Sequence, residues 1–215
     1  MACFITFEGI EGCGKSTQLQ MLAQLLTDQG QSVTVTREPG GCPIADQVRR
    51  ILLDADNHAI TPLAELLLYA AARAQHMAEV VMPALRAGRI VLCDRFTDAT
   101  AAYQGYGRQL DMTVIRQLNQ LATTGVAPEL TILLDCPVEI GLERAMARIN
   151  NSCGAREERF ELEALSFHRR VRDGYLTLAA REPERFVIID STTSVRQSAA
   201  DIAAAVLPRL ARDNH

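Results

Sequence analysis

The sequence predicts an α/β fold, a central parallel β-sheet with helices on both faces. Three observations carry that expectation. Five short β-rich runs are spread along the 215 residues, and helix-like stretches fill the intervals between them. Most of the runs are apolar at nearly every position, as strands covered on both faces must be, rather than at every second one. Strand–helix alternation of this kind builds right-handed βαβ units, and these place their strands parallel.

The elements follow in order. "CFITFE" (3–8) is the first strand; a glycine-rich segment leads from it into a helix over 15–29, which Gly30 ends. "SVTVTR" (32–37) is the second strand, followed by helical stretches at 44–54 and 63–86, the latter stopped by Gly88. "RIVLCD" (89–94), "LTILLD" (130–135) and "RFVIID" (185–190) are the remaining strands, with helices over 111–124, 138–149, 160–181 and 195–212. No internal repeat and no linker interrupts the series, so residues 1–215 are expected to form a single domain. One stretch departs from the pattern. "RINNSCGAREER" (148–159) has little apolar content, one Gly, two Asn and three Arg, and reads either as a solvated surface loop or as a lid that brings charge to a site.

Composition bounds the function. Hydrophobic residues make up 48% and charged residues 22%, an ordinary globular balance. A net charge of -4 argues against binding a nucleic-acid backbone, though not against a small anion in a local basic pocket. The six cysteines show no metal-binding spacing, and Cys3, Cys93 and Cys136 lie in or beside apolar runs, so reduced thiols are expected. There is no signal-peptide pattern and no apolar run near the ~20 residues that span a bilayer, which points to a cytoplasmic protein with no membrane partner.

The glycine-rich segment carries the chemistry. Gly9-Ile10-Glu11-Gly12-Cys13-Gly14-Lys15-Ser16 matches G-x-x-x-x-G-K-[ST] and stands between a strand and a helix, as a P-loop requires. Its glycines let successive N–H groups converge on phosphate oxygens at a helix N-terminus. Lys15 is the only lysine among 22 basic residues, the rest being arginine. A compact ammonium fits inside such a loop, whereas a planar guanidinium does not. Residues 9–17, through Thr17, are the expected triphosphate-binding segment, with the Ser16 hydroxyl on Mg²⁺. Cys13 is either a thiol activated by the helix terminus or a buried inert one. A GTPase would need a guanine-reading segment containing lysine, which a single lysine excludes, and larger ATPases carry more apparatus than this length holds. A small kinase remains.

Further motifs narrow the choice: "TREPGG" (36–41), "YAAAR" (69–73), "CDRF" (93–96), "AYQGYGR" (102–108), "LDCPVEIGLERA" (134–145) and "FHRRVRDGYLTLA" (167–179). With the P-loop, and in this order, they span nearly the whole chain, which strongly resembles the bacterial thymidylate kinase family. The resemblance implies a P-loop NTPase fold with a five-stranded parallel sheet, ATP- and Mg²⁺-dependent conversion of dTMP to dTDP, and a homodimer. It also implies roles. Arg95 holds the dTMP phosphate, Arg49 supports it, Asp94 organises Mg²⁺ through water, and Arg144 stacks on adenine. Glu11 lies near the dTMP sugar and phosphate, and Glu38-Pro39 forms a cis bond shaping the acceptor pocket. Tyr69, where the family usually has phenylalanine, stacks on thymine; Arg73, Gln104 and Thr100 meet its polar edge, and Tyr103 lies against the sugar. Ala99 and Phe96 also depart from the commoner residues.

The attacking phosphate oxygen is already anionic, so positive charge rather than a general base is required. Lys15, Arg95 and one lid arginine among Arg148, Arg156 and Arg159 are expected to supply it, Arg156 or Arg159 before Arg148. Asp135 is expected only to end its strand, His168 to be structural, and Arg169, Arg170 and Arg172 to form a solvated helix face. Rival readings are a CMP or UMP kinase and a nucleotide-dependent switch with negligible turnover.

Overall fold

The computed structural model describes residues 2–150 and 159–212. Five parallel strands, β1 (Cys3–Glu8), β2 (Val33–Arg37), β3 (Ile90–Asp94), β4 (Leu130–Asp135) and β5 (Phe186–Asp190), form one sheet in the order β2-β3-β1-β4-β5. β1, β3 and β4 are buried almost throughout, which is why their sequences are apolar at successive positions. The edge strands β2 and β5 expose Val35 and Ile188.

Nine helices cover the described sheet: α1 (Lys15–Asp28), α2 (Pro43–Leu53), α3 (Pro62–His76), α4 (Met82–Arg86), α5 (Thr97–Thr100), α6 (Met112–Thr123), α7 (Val138–Asn150), α8 (Leu165–Arg181) and α9 (Val195–Arg212). The main core lies between the sheet and α1, α8 and α9, where Phe7, Leu26, Ile132, Val171 and Val206 meet. Phe4, Met77, Val91 and Phe96 form a second cluster, with Phe4 and Phe96 edge to face at 4.8 Å.

Three helical expectations need correction. The stretch expected as one helix over 63–86 runs from Pro62 to Arg86 but contains a π-helical turn at Met77–Val81. Pro83 explains it: a proline cannot donate to the carbonyl four residues back and its ring crowds that carbonyl, and a wider turn relieves both. Residues 97–107, read only as motif, continue from α5 into a second π-helical stretch, Ala101–Gly107. Its glycines hide it from propensity and permit contact, since a Cβ at Gly107 would come within 2.6 Å of the Phe167 ring. The helix expected over 160–181 begins at Leu165, after a turn that buries Phe160.

With β1 central and the chain crossing to either side of it, the carboxyl ends of β1, β3 and β4 open a crevice at the switch in strand order.

Candidate active site

The segment leaving β1 turns on Gly9, Gly12 and Gly14, at φ 136°, 69° and 92°, and enters α1 at Lys15. Lys15 folds back over it: Nζ donates to the carbonyls of Gly9 (3.1 Å) and Ile10 (2.7 Å) and approaches Cys13 Sγ at 3.5 Å. Cys13 is 1% exposed, so the buried alternative holds for this thiol. Ser16 Oγ donates to Asp94 Oδ2 at 2.6 Å, joining the start of α1 to the end of β3.

Arg95, next after that aspartate, has φ 70°, a conformation L-residues rarely adopt. Its backbone is fixed on both sides. Arg95 N–H donates to Phe7 O (2.9 Å) and Phe96 N–H to Glu8 Oε1 (2.7 Å). Its Nη1 donates to Gly9 O (3.0 Å) and Tyr175 Oη (3.2 Å), its Nη2 to Glu11 Oε1 (3.2 Å), and the guanidinium lies 4.8 Å over the Tyr103 ring. Tyr175 in turn donates to Glu8 Oε2 (2.8 Å). Burial and the nearby Asp98 carboxyl push Glu8 up to about 7, against the pull of Arg95, Tyr175 and the Phe96 N–H. Glu11 goes the other way. Burial would raise it, but the His168 ring, Arg95, Lys15 and Tyr103 hold it down at about 2. Tyr103 donates to Glu11 Oε1 at 2.5 Å, and its own hydroxyl is pushed well above the usual tyrosine range by burial.

A cavity of about 520 Å³ opens beside the phosphate loop, and it gathers most of the residues singled out in the sequence. Lys15, Ser16, Asp94, Arg95 and Glu11 wall one end. Glu38, Pro39 and Arg49 stand along one side, the Glu38-Pro39 peptide being cis and Arg49 Nη1 donating to Pro39 O (3.1 Å). Tyr69, Arg73, Thr100, Tyr103 and Gln104 also line it, Arg73 meeting Glu38. Arg73 is tied down by Glu38 Oε2 (2.7 Å), Asn119 Oδ1 (2.6 Å), Phe96 O (3.0 Å) and Thr100 Oγ1 (2.9 Å). Gln104 Nε2 donates to Glu65 Oε1 at 2.8 Å.

Other expectations change. Arg159, proposed as a mobile cation, is 7% exposed; its Nη1 pairs with Glu65 Oε2 (2.8 Å), its Nε donates to Leu52 O (2.5 Å), and it does not line the cavity. Arg148 does line it, with a side chain 65% exposed and 3.7 Å from Glu161. Arg156 lies outside the described residues. Arg144, expected at the adenine rather than in this cavity, donates to Ser191 O (2.9 Å) just after β5, and Thr17, expected on the triphosphate side, is exposed on α1; neither position alters those expectations. Arg172 is no solvated side chain; it grips Asp135 with two bonds (2.7 and 2.8 Å), so Asp135 does more than end a strand. Arg170 donates to Gly107 O (2.9 Å), while Arg169 is exposed as expected and pairs with Glu139. His168 is fully buried, its Nδ1 3.4 Å from Glu11 Oε2.

Sequence reasoning missed Glu8 and Glu65, which support the site from positions with no local signal, Phe160, which lines the cavity, and Tyr175, which lies inside the quoted motif 167–179 but was given no role. It also passed over Arg37, although "TREPGG" contains it; Arg37 lines the cavity.

Fold and cleft together define a P-loop nucleotide-binding protein whose phosphate loop opens onto an adjoining cavity. Comparison with known proteins narrows this. The family model described as thymidylate kinase matches residues 7–202. The thymidylate kinase of Geotalea uraniireducens is 70% identical over 211 residues, 98% of this chain and 99% of that protein. That of Geobacter sulfurreducens is 60% identical over 99% of this chain and all of that one. The crystal structure of thymidylate kinase from Ehrlichia chaffeensis superposes with a TM-score of 0.77 at 32% identity, covering 95% of this chain and 98% of that one. The chain belongs to the thymidylate kinase family.

Proposed function

We propose that the protein transfers the γ-phosphoryl group of ATP to dTMP, giving dTDP and ADP. The observation that carries the reading is Arg95. A backbone bond to β1, a left-handed backbone and contacts with Gly9 O, Glu11, Tyr175 and Tyr103 hold its guanidinium in the cavity beside the phosphate loop, where an acceptor monophosphate would meet the donor triphosphate. A monophosphate oxygen needs no deprotonation to attack, so the chain's task is to align two anions and neutralise their charge. Lys15 and Arg95 act from fixed positions and Arg148 from the rim, with Arg156 the other candidate of the lid segment (148–159). Arg49 and Arg37 hold the monophosphate against the Pro39 turn. Arg144, which bonds Ser191 O just after β5, is proposed to stack on the adenine.

Ser16 Oγ and Asp94 Oδ2 are hard oxygen donors 2.6 Å apart at the loop's end, and no cluster of three or more His, Cys, Asp or Glu ligands occurs among the described residues. That set suits Mg²⁺, which is held by one or two protein oxygens plus phosphates and water, with Asp94 acting through water. Held by Ser16 directly and by Asp94 through water, such an ion would supply positive charge against the charge that develops on the phosphates.

The enzyme is also proposed to be a cytoplasmic homodimer. α3 packs between α2 and α6, and Leu63 and Leu67 on α3 and Val114 and Leu121 on α6 are exposed at helical spacing. No helix among the described residues is long and apolar enough to cross a membrane. A coupled ADP-release assay across dTMP, dUMP, dCMP, CMP and UMP tests the function. Fast turnover with dTMP and poor turnover with cytosine nucleotides is expected; equal use of CMP or UMP overturns the assignment.

A further inference from the structure

The two ends of a glutamine amide have the same shape but opposite hydrogen-bonding sense, so the residue behind Gln104 decides what Gln104 shows to a ligand. That residue is Glu65, in the first turn of α3. Both side chains are 1% exposed, and Gln104 Nε2 lies 2.8 Å from Glu65 Oε1. Glu65 is held from its other sides by guanidiniums. Arg108 Nε and Nη2 donate to its two oxygens, both at 3.2 Å, and Arg159 Nη1 lies 2.8 Å from Oε2. A carboxylate gripped by two arginines accepts hydrogen bonds and has none to donate, so Gln104 has to turn its NH₂ toward it. The carbonyl oxygen is the end left for the cavity that Gln104 lines. Arg73, on the same wall, can only donate.

We infer that Glu65 is a specificity-determining residue that never touches the substrate: by fixing the Gln104 amide from behind, it makes the wall read one donor (Arg73) and one acceptor (Gln104). The inference rests on the dTMP reading above. A pyrimidine edge with a carbonyl beside a ring N–H, as in thymine or uracil, matches this order. A cytosine edge offers an amino group to a donor and a bare nitrogen to an acceptor, and both contacts fail.

Glu65→Gln tests it. The new amide keeps its oxygen at the Oε2 position, where Arg108 Nη2 and Arg159 Nη1 both donate, so its NH₂ takes the Oε1 position beside Gln104, gives up the Arg108 Nε bond and drives the Gln104 side chain to flip. The ratio of kcat/KM for dTMP over dCMP is then expected to fall roughly 10- to 100-fold, the worth of one correctly paired buried hydrogen bond. In a Gln104→Leu background the same substitution is expected to leave the ratio where Gln104→Leu alone puts it. An unchanged ratio in Glu65→Gln, or an equal fall in the Gln104→Leu background, overturns the inference. If Glu65→Gln does not fold, Glu65→Gln with Arg108→Met, which removes one charge of each sign and leaves Arg159 Nη1 to hold the amide oxygen at the Oε2 position, carries the same two outcomes. A wild-type chain that ignores dTMP instead strikes down the functional reading itself, and the inference with it.

Discussion

Nε of Arg73 lies 2.7 Å from Oε2 of Glu38, and the two side chains are only 2% and 4% exposed. His76 Nδ1 sits 2.9 Å from the other Glu38 oxygen and Thr36 Oγ1 2.6 Å from His76 Nε2, so α3 is bolted to the end of β2 by a buried polar chain. Removing one member of such a pair leaves the other buried without its partner. Glu38→Ala is expected to cost about 3–5 kcal/mol, read from urea unfolding midpoints. Arg73→Lys keeps the charge but loses the fork, so KM for dTMP should rise more than kcat falls. A Glu38→Ala chain as stable as wild type would contradict this.

Lys15 Nζ is held by the loop carbonyls of Gly9 and Ile10, a seat that suits a compact ammonium better than a planar guanidinium. Lys15→Ala should lower turnover ~10²–10³-fold or more, as loss of comparable charge-stabilising groups does. Lys15→Arg should fare little better. Steady-state kinetics at saturating ATP decide it, and an active arginine variant would refute the steric argument.

The two described lid arginines should separate cleanly. Arg148→Ala is expected to reduce kcat by ~10³-fold or more with ATP affinity nearly intact, the behaviour of an arginine that meets the transferring group. Arg159→Ala should instead lower the melting temperature, because it leaves Glu65 short of a partner and uncovers Phe160, over whose ring its guanidinium lies at 4.5 Å. The reverse pattern would return Arg159 to the catalytic role.

Glu8 gives the stability a pH dependence of unusual sign for a carboxylate. Its folded value of about 7 stands above the ordinary 4.5, so the folded chain holds a proton that the unfolded chain releases. The stabilisation is complete below about pH 4.5 and is lost as pH rises through 7. Glu11, held at about 2, acts oppositely, and its contribution fades only as pH falls below the ordinary range. Burial also raises Glu161, so melting curves from about pH 5.5 to 8.5 single out Glu8 only by comparison with a variant. The melting temperature of Glu8→Gln minus that of wild type should grow with pH across this window, whatever its offset. Parallel curves would exclude Glu8 as the source.

How much of this could be read from the chain differs by feature. Strands were legible to within about a residue because double-sided burial makes their composition nearly uniform. The cavity wall was legible where motifs such as "TREPGG" and "AYQGYGR" place several wall residues together. Its support was not. Tyr175 meets Arg95 across 80 positions of sequence, and Glu65 meets Arg108 and Arg159 across 43 and 94, contacts that no spacing rule encodes. The π-helical stretches escaped for a different reason, since a period tuned to 3.6 residues cannot register a wider turn. Arg172 was misjudged because one face of α8 turns back to the sheet at Asp135.

Gly12 and Gly141 bring the phosphate loop and α7 together backbone against backbone. A Cβ on Gly12 would fall on the Gly141 carbonyl, and one on Gly141 would come 2.6 Å from Glu11 O. Only the Ile10 and Cys136 side chains come near, so any rocking of α7 would pivot on this backbone contact. Arg148 lies seven residues further along the same helix, which at 1.5 Å per residue is a lever arm of about 10 Å. Rocking α7 by roughly 10° about the joint carries the Arg148 backbone nearly 2 Å, while the loop beneath it barely shifts. Bulk at either glycine would jam the hinge pin rather than remove a contact, and would uncouple the lid's reach from the seat of the phosphates.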